Sequence, residues 1–387
     1  MIPTPTRAAA LARLEAFVPH AARYAGRRNF DLGLGKHEGV SCLSHYIRTR
    51  LVTEEECTRA VLAKHSPRAA EKFLQEIAWR TYWKGWLEMR PGVWRSYLET
   101  LAEQDKTPAY EAAVSGNTGI ECFDHWAHEL TETGYLHNHA RMWFSSIWIF
   151  TLKLPWQLGA DFFLTHLLDA DPAANTLSWR WVAGLHTPGK HYLARAENIS
   201  KFTNGRFDPK GRLNESAPPL PMDFVPERQP LHLPPDPAPR GRIGHLMFPD
   251  DLAPPPDRLG KISATAAFVP PVQETTPLVS AFLNGAVNDT LHHLNGSRLD
   301  SSLPSAISDW ISAEKLDFLV VSQPTVGFTK DFLDAVQLPI PLQFYIRDWD
   351  RKLWPHATAG FFKLKAALPK LHAALAPRRE DDLFPEI

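Results

Sequence analysis

From residue 11 to about residue 183, apolar side chains recur at spacings of three and four, the pattern of helices that bury one face. Residues 66–89 and 131–152 are the longest such stretches, and Pro91-Gly92, Ser115-Gly116-Asn117 and Leu154-Pro155 interrupt the pattern where helices must stop. The pattern predicts an all-helical domain over residues 1–214. Residues 215–257 carry so many prolines that neither a helix nor a central strand is expected, so residues 215–260 read as a linker or an extended wrapping arm. Beyond them, short apolar runs (266–269, 316–322, 342–346) alternate with helix-like stretches (277–295, 329–336, 358–375). That alternation predicts a small α/β domain with a largely parallel sheet over residues 261–387. The fold class is mainly α, with this module appended.

Composition narrows the class. A chain of 387 residues suits two domains, and 44% hydrophobic residues is ample material for their cores. No run reaches the ~20 apolar residues of a membrane helix, and the opening MIPTPTRAAALARLEAF has no long apolar run with a cleavage-like site. Cys42, Cys57 and Cys122 are odd in number and far apart, unlike a disulfide framework or a metal set, so a reducing cytoplasm is expected. With a net charge of −1 and a pI near 7, any nucleic-acid contact must rest on a local patch. The 13 tryptophans crowd between Trp79 and Trp181 and then vanish until Trp310. Abundance alone reads as an aromatic core.

Three segments carry candidate chemistry. In Asp169-Ala-Asp171-Pro-Ala-Ala-Asn175-Thr-Leu-Ser-Trp179-Arg-Trp181, two carboxylates follow an apolar helix and need partners if buried. Arg141 is one candidate partner, and Asn138, Arg141, Met142 and Ser145 share a helical face. A structural ion pair with a cap and a ligand site account equally well for that spacing. Glu76, Trp79, Trp83 and Trp86 form a second stripe; such aromatic stripes are more often core than cofactor box, and the glutamate that continues this one tips the balance only slightly. The third segment, from Arg28 to Ser44, combines glycines, basic residues and serines before a helix, a composition that suits phosphate or a plain surface turn. His137 and His139 point to different faces, and His125 and His128 have no evident third ligand, so no metal site is expected. No Walker loop, nucleophile elbow or dinucleotide-binding motif is present in the sequence.

Taken in order, these segments resemble the FAD-binding domain of DNA photolyases and cryptochromes, from about Tyr24 to Phe207, above all in TGYLHNHARM and LLDADPAANTLSWRW. The resemblance implies FAD folded among helices, with Val40-Ser41-Cys42-Leu43-Ser44 matching a phosphate loop that reads Thr-Ser-x-Leu-Ser in the family. It implies that Ser41, Leu43, Ser44, Tyr24, Arg28, Phe73 and Arg80 surround the cofactor. Asn175 would face flavin N5, Arg141 and Asp169 would form an ion pair beside the ring, and Asp171 would bind near its polar edge. Glu76, Asn138 and Met142 match positions that meet a cyclobutane pyrimidine dimer, with Trp79 and Trp181 as walls; 6-4 photolyases place histidine where Asn138 stands. Trp179 and Trp156 match the first two members of an electron-transfer chain. The third is missing near residues 103–108, leaving Trp94 or Trp148 as substitutes or a chain of two.

Departures are also plain. Val40 removes a hydroxyl, a four-residue insertion precedes the loop, Phe73 replaces a usual tryptophan, and His139 stands where repair enzymes commonly carry a DNA-contacting arginine. Because the sequence starts almost at the segment that resembles the FAD domain, the family's N-terminal α/β antenna domain is expected to be missing. Residues 261–387, with 341–351 as one strand, are a candidate for that domain's structural role; the sequence specifies no antenna chromophore. The expected function is blue-light-driven repair of cyclobutane dimers in UV-damaged DNA by electron transfer from reduced flavin. The alternatives are a cryptochrome-like sensor signalling through its C-terminal region to a protein partner, and a flavoprotein that has lost light function.

Overall fold

The computed structural model describes residues 2–222, 224–271, 274–303 and 305–377. Its first half is helical. Thr6 caps α1 (Arg7–Phe17), which leads through α2 (Tyr24–Arg27) and α3 (Ser44–Arg48) to α4 (Glu54–Lys64). A reciprocal Thr53/Glu56 capping box and three glutamates in the first turn fix the start of α4. α5 (Glu71–Glu88) buries residues on nearly every side, including Phe73, Ile77, Tyr82 and Leu87, which makes it the central helix. The chain continues through α6 (Gly92–Ala102), α7 (Pro108–Val114), α8 (Glu121–Thr133), α9 (Asn138–Ser146), α10 (Trp156–His166), α11 (Pro172–Ala183) and α12 (Ala196–Phe202), of which α11 packs directly on α5.

The continuous helix expected over residues 131–152 is broken. Gly134, at φ +67°, ends α8, and a Cβ there would come within 2.7 Å of both Leu168 and Leu278. α9 then starts afresh after His137, whose Nδ1 accepts from His139 N at 3.2 Å. The apolar period runs on through the break, so periodicity alone does not register it.

A second correction concerns the proline-rich stretch. Residues 215–222 and 224–242 touch the helical half: Leu220 N donates to Ala183 O at 3.1 Å and Gln229 N to Met89 O at 2.8 Å. Yet β1 (Ile243–Met247), fully buried, lies inside the stretch read as strand-free, and the sheet module therefore begins before residue 261. Arg240 to Phe248 is a proline-free window between prolines, so β1 keeps every backbone N–H that its two neighbours require. It pairs in parallel with β2 (Ala264–Ala267) and with β4 (Phe318–Ser322). With α13 (Pro277–Leu294), β3 (Ser297–Arg298), α14 (Ala306–Ala313), α15 (Phe328–Ala335) and β5 (Leu342–Tyr345), the order β3-β2-β1-β4-β5 is parallel throughout among the described residues.

In such sheets ligands usually sit beyond the carboxyl ends of the strands where the order reverses, here between β1 and β4. Arg50 of the helical half reaches that point, and the cavity left beside it measures about 20 Å³, room for a single water. The last helices, α16 (Asp348–Leu353), α17 (Phe361–Lys365) and α18 (Leu368–Leu375), turn back onto α4 and α5. Trp349 Nε1 donates to Thr81 Oγ1 at 2.7 Å. Trp354 lies so close to Gly85 that a Cβ there would sit 2.8 Å from the indole. One apolar core therefore runs from Ala10 to Leu375, with a second cluster on the other face of the sheet.

Candidate active site

The floor of the site is the turn between α10 and α11. Asp171 caps α11, its Oδ1 accepting from Ala174 N at 2.8 Å, while Oδ2 pairs with Arg80 of α5. Asp169 Oδ1 lies 3.0 Å from Arg141 Nη1 of α9, and Ser44, the first residue of α3, bonds the same carboxylate. Burial alone would raise the Asp169 pKa, but Arg141 and then Arg80 outweigh it and bring it down to about 2. Burial also opposes ionisation of Asp171, and Arg80, Lys84 and Arg48 together hold its pKa below the usual range. The two carboxylates are thus buried and paired, each by an arginine from a different helix.

Along the loop, Ser41 O and Val40 O accept from Arg13 at 2.7 and 3.4 Å. Cys42 sits at φ +50° with Sγ 3.7 Å from Tyr135 Oη, and Leu43 is fully buried. The helix expected after the loop is only five residues, Ser44–Arg48, so it supplies little dipole. Tyr24 packs edge-on against Phe73 at 5.3 Å, and Phe73 packs on Phe17 at 4.6 Å, so Phe73 belongs to the aromatic core behind Tyr24. Burial and then Glu76 push the Tyr24 phenol well above its usual pKa. Tyr24 and Val40 line a cavity of about 290 Å³ shared with Arg13, Arg23, Arg27 and Glu38.

Above this floor the expected substrate residues are more open. Glu76 pairs with Arg28 and lies 3.7 Å from Lys72. Met142 is half-buried and Asn138, at the start of α9, is exposed. Trp181 stacks on Tyr192 at 5.9 Å, and Trp79 stacks on Phe361 of α17 at 3.9 Å. His139 is buried against Trp143 at 4.0 Å, and burial lowers its pKa, so it offers no cation to a phosphate. Its Nδ1 lies 3.0 Å from Asn29 O.

Asn175 Nδ2 donates to Ala160 O at 2.8 Å, which fixes its amide beside α10. The Trp179 ring meets Trp148 at 6.1 Å and Phe163 at 5.1 Å. Trp156 stands 5.6 Å from Tyr97, which stands 5.4 Å from Trp94. Four participants have no sequence signal. Arg13 holds the loop, Arg48 Nε donates to Ala170 O at 2.6 Å between the two aspartates, Tyr97 links two tryptophans, and Phe361 arrives from the far end of the chain.

These residues fit a flavin dinucleotide. Arg13, Arg23 and Arg27 surround a cavity suited to phosphoryl oxygens. Trp179 Nε1 and His45 Nε2 are buried without a hydrogen-bond partner among the described residues, which leaves polar capacity inside the site. Residues 73–216 match the family model described as the FAD binding domain of DNA photolyase. The chain is 27% identical to the deoxyribodipyrimidine photo-lyase of Vibrio cholerae, over 45% of this chain and 39% of that protein. It is 31% identical to that of Thermus thermophilus, over 57% of this chain and 52% of the relative. A class III photolyase structure from Agrobacterium tumefaciens aligns with 26% identity and a TM-score of 0.45, over 51% of this chain and 43% of the other. The chain thus spans about half the length, or less, of these relatives. No helix among the described residues is long and apolar enough to cross a membrane.

Proposed function

Because residues 73–216 match the FAD-binding domain of DNA photolyase, we propose that this chain repairs cyclobutane pyrimidine dimers in DNA under blue light. The observation that carries this reading is an ordering by depth. Asp169, Asp171 and Asn175, the three residues matched to the flavin ring itself, are only 5%, 3% and 7% exposed. Glu76 and Met142, matched to the lesion, are half-buried, and Asn138 is open to solvent. A cofactor below and a substrate above is the order that a flipped base requires.

Reduced FAD, when bound, supplies the electron that splits the cyclobutane ring and takes it back. The protein's part is position and electrostatics. Arg141 and Arg80 keep Asp169 and Asp171 ionised, so two fixed negative charges with compensating cations would stand beside the cofactor when it is bound. The Asn175 amide is anchored on Ala160 O and cannot swing away. Glu76 is oriented by Arg28, which presents its carboxylate as an acceptor at the rim. Asn138 offers both a donor and an acceptor to a base edge.

The test is repair of a thymine-dimer oligonucleotide by protein whose flavin has been reduced beforehand, under blue light and in the dark. Light-dependent recovery of thymine supports repair. Bound reduced flavin without recovery rejects it and returns attention to light sensing.

A further inference from the structure

Trp79 is the one expected lesion wall whose partner comes from the other end of the chain. Phe361 lies parallel on its indole, with centroids 3.9 Å apart and planes 9° from parallel. Tyr82 meets both rings edge-on, at 5.4 Å from Trp79 and 5.7 Å from Phe361. Trp83 completes the set at 5.3 Å. A single indole ring is thus held from several directions.

Phe361 is itself pinned. Ala359 O accepts from Tyr82 Oη at 2.8 Å and Thr358 O from Arg90 at 2.9 Å, so the chain entering α17 is tied to α5 and the turn that follows it. Lys365 Nζ lies 3.0 Å from Glu71 Oε1, which ties the end of α17 to the first turn of α5. Phe361 and Leu364 are buried, whereas the neighbouring Phe362 is 82% exposed. A ring fastened on both sides acts as a fixed support; a lid would need a free segment.

We propose that Phe361 is a positioning residue for substrate recognition: the C-terminal module holds the Trp79 indole in the orientation from which it stacks on a flipped pyrimidine dimer. This deepens the repair reading and rests on it. A stacked aromatic pair adds attraction beyond its buried area. More important here, the stack removes the rotameric freedom that Trp79 would otherwise lose on binding. The lesion wall is then built by both ends of the sequence, and the C-terminal module contributes to the site.

The full-length flavin-loaded protein, labelled with 5-fluorotryptophan, provides two readouts. The first is the fluorine resonance of residue 79, assigned by its loss in Trp79→Phe. The second is binding in the dark to a thymine-dimer oligonucleotide against the undamaged strand. Phe361→Ala is expected to shift and broaden the resonance and to reduce discrimination between the two strands by about tenfold, the fold-change corresponding to 1.4 kcal/mol. Phe361→Tyr should restore both, and Phe362→Ala should change neither. An unmoved resonance in Phe361→Ala overturns the positioning role whatever binding does. A moved resonance with undiminished discrimination overturns the recognition role alone. Unmutated protein that holds flavin but does not discriminate rejects the repair reading and the recognition role together.

Discussion

Arg50 and Asp251 meet at 2.8 Å across 201 positions of sequence, and their contact ties the helical half of the molecule to the sheet. Arg50 holds a left-handed backbone at φ +54°, where only glycine sits without strain. Around its guanidinium stand Asp350, Glu54 at 3.4 Å and Asp251, which is also bound by Arg347 at 2.6 Å. The strained backbone is compensated by three buried carboxylates, two of them from the C-terminal module.

Arg50→Met leaves those carboxylates short of a cation and is expected to cost about 3–5 kcal/mol. Arg59→Ala provides the contrast. Its i,i+4 partner Glu55 lies 2.7 Å away on the surface, and such pairs contribute less than about 1 kcal/mol. Urea titrations of both variants at one pH measure the difference. Equal losses would mean that the interdomain network contributes no more than a surface pair.

Arg141→Ala strands Asp169 beneath the expected flavin position. The carboxylate would then lose its nearest cation, and its pKa is expected to rise from about 2 toward and beyond the usual carboxylate value. On the proposed reading one pair serves both, so flavin retention should fall together with stability. Flavin absorption after gel filtration, set beside thermal unfolding, checks this. Arg141→Lys, which restores charge without the planar fork, should recover part of the loss.

The helical half was legible because its information is local. Periodicity, breakers and the spacing of Arg141, Asp169, Asp171 and Asn175 all lie within short windows, and the structure brings these residues to one floor. What could not be read joins distant positions. Phe361 reaches Trp79 across the chain, and Asp251 reaches Arg50, with nothing in either window to mark the contact. β1 was missed for a different reason. The prolines on both sides outweigh the short window, Arg240 to Phe248, in which none occurs. The break at Gly134 was hidden because both flanking helices keep one apolar period.

Glu88 gives the interface a pH dependence. It closes α5 and accepts from Val326 N at 2.6 Å in the C-terminal module. Burial raises its pKa from 4.5 to about 7, against the lowering pull of the Val326 amide and Lys330. The folded protein therefore keeps a proton that the unfolded chain releases between those two values. Stability should fall as pH rises through that window and level off above it. The side chain retains some solvent contact, which damps the effect. Glu88→Gln should flatten the slope, as read from urea midpoints at pH 5, 6 and 8. A slope that persists in the variant assigns the titration elsewhere.

The neighbours of Trp179 decide the route of light-driven flavin reduction under the proposed function. One route runs from Trp179 to Trp148 at 6.1 Å and on to Tyr110 at 6.0 Å, a ring at the edge of burial beneath Lys106. The other would run from Trp156 through Tyr97 to Trp94, whose Nε1 donates to Asp331. The first begins at a ring in direct contact with Trp179 and ends nearest to solvent, so Trp148→Phe is expected to slow photoreduction several-fold and Trp94→Phe to change it little. The rate of flavin bleaching under blue light with an external reductant measures both. The reverse pattern would place the exit through Tyr97. Gly159→Ala tests the same contact without deleting a ring, because a Cβ there would lie 2.3 Å from the Trp179 indole. Overpacking of this kind costs about 1–3 kcal/mol, and displacement of the Trp179 ring should slow photoreduction even where Trp148 is intact.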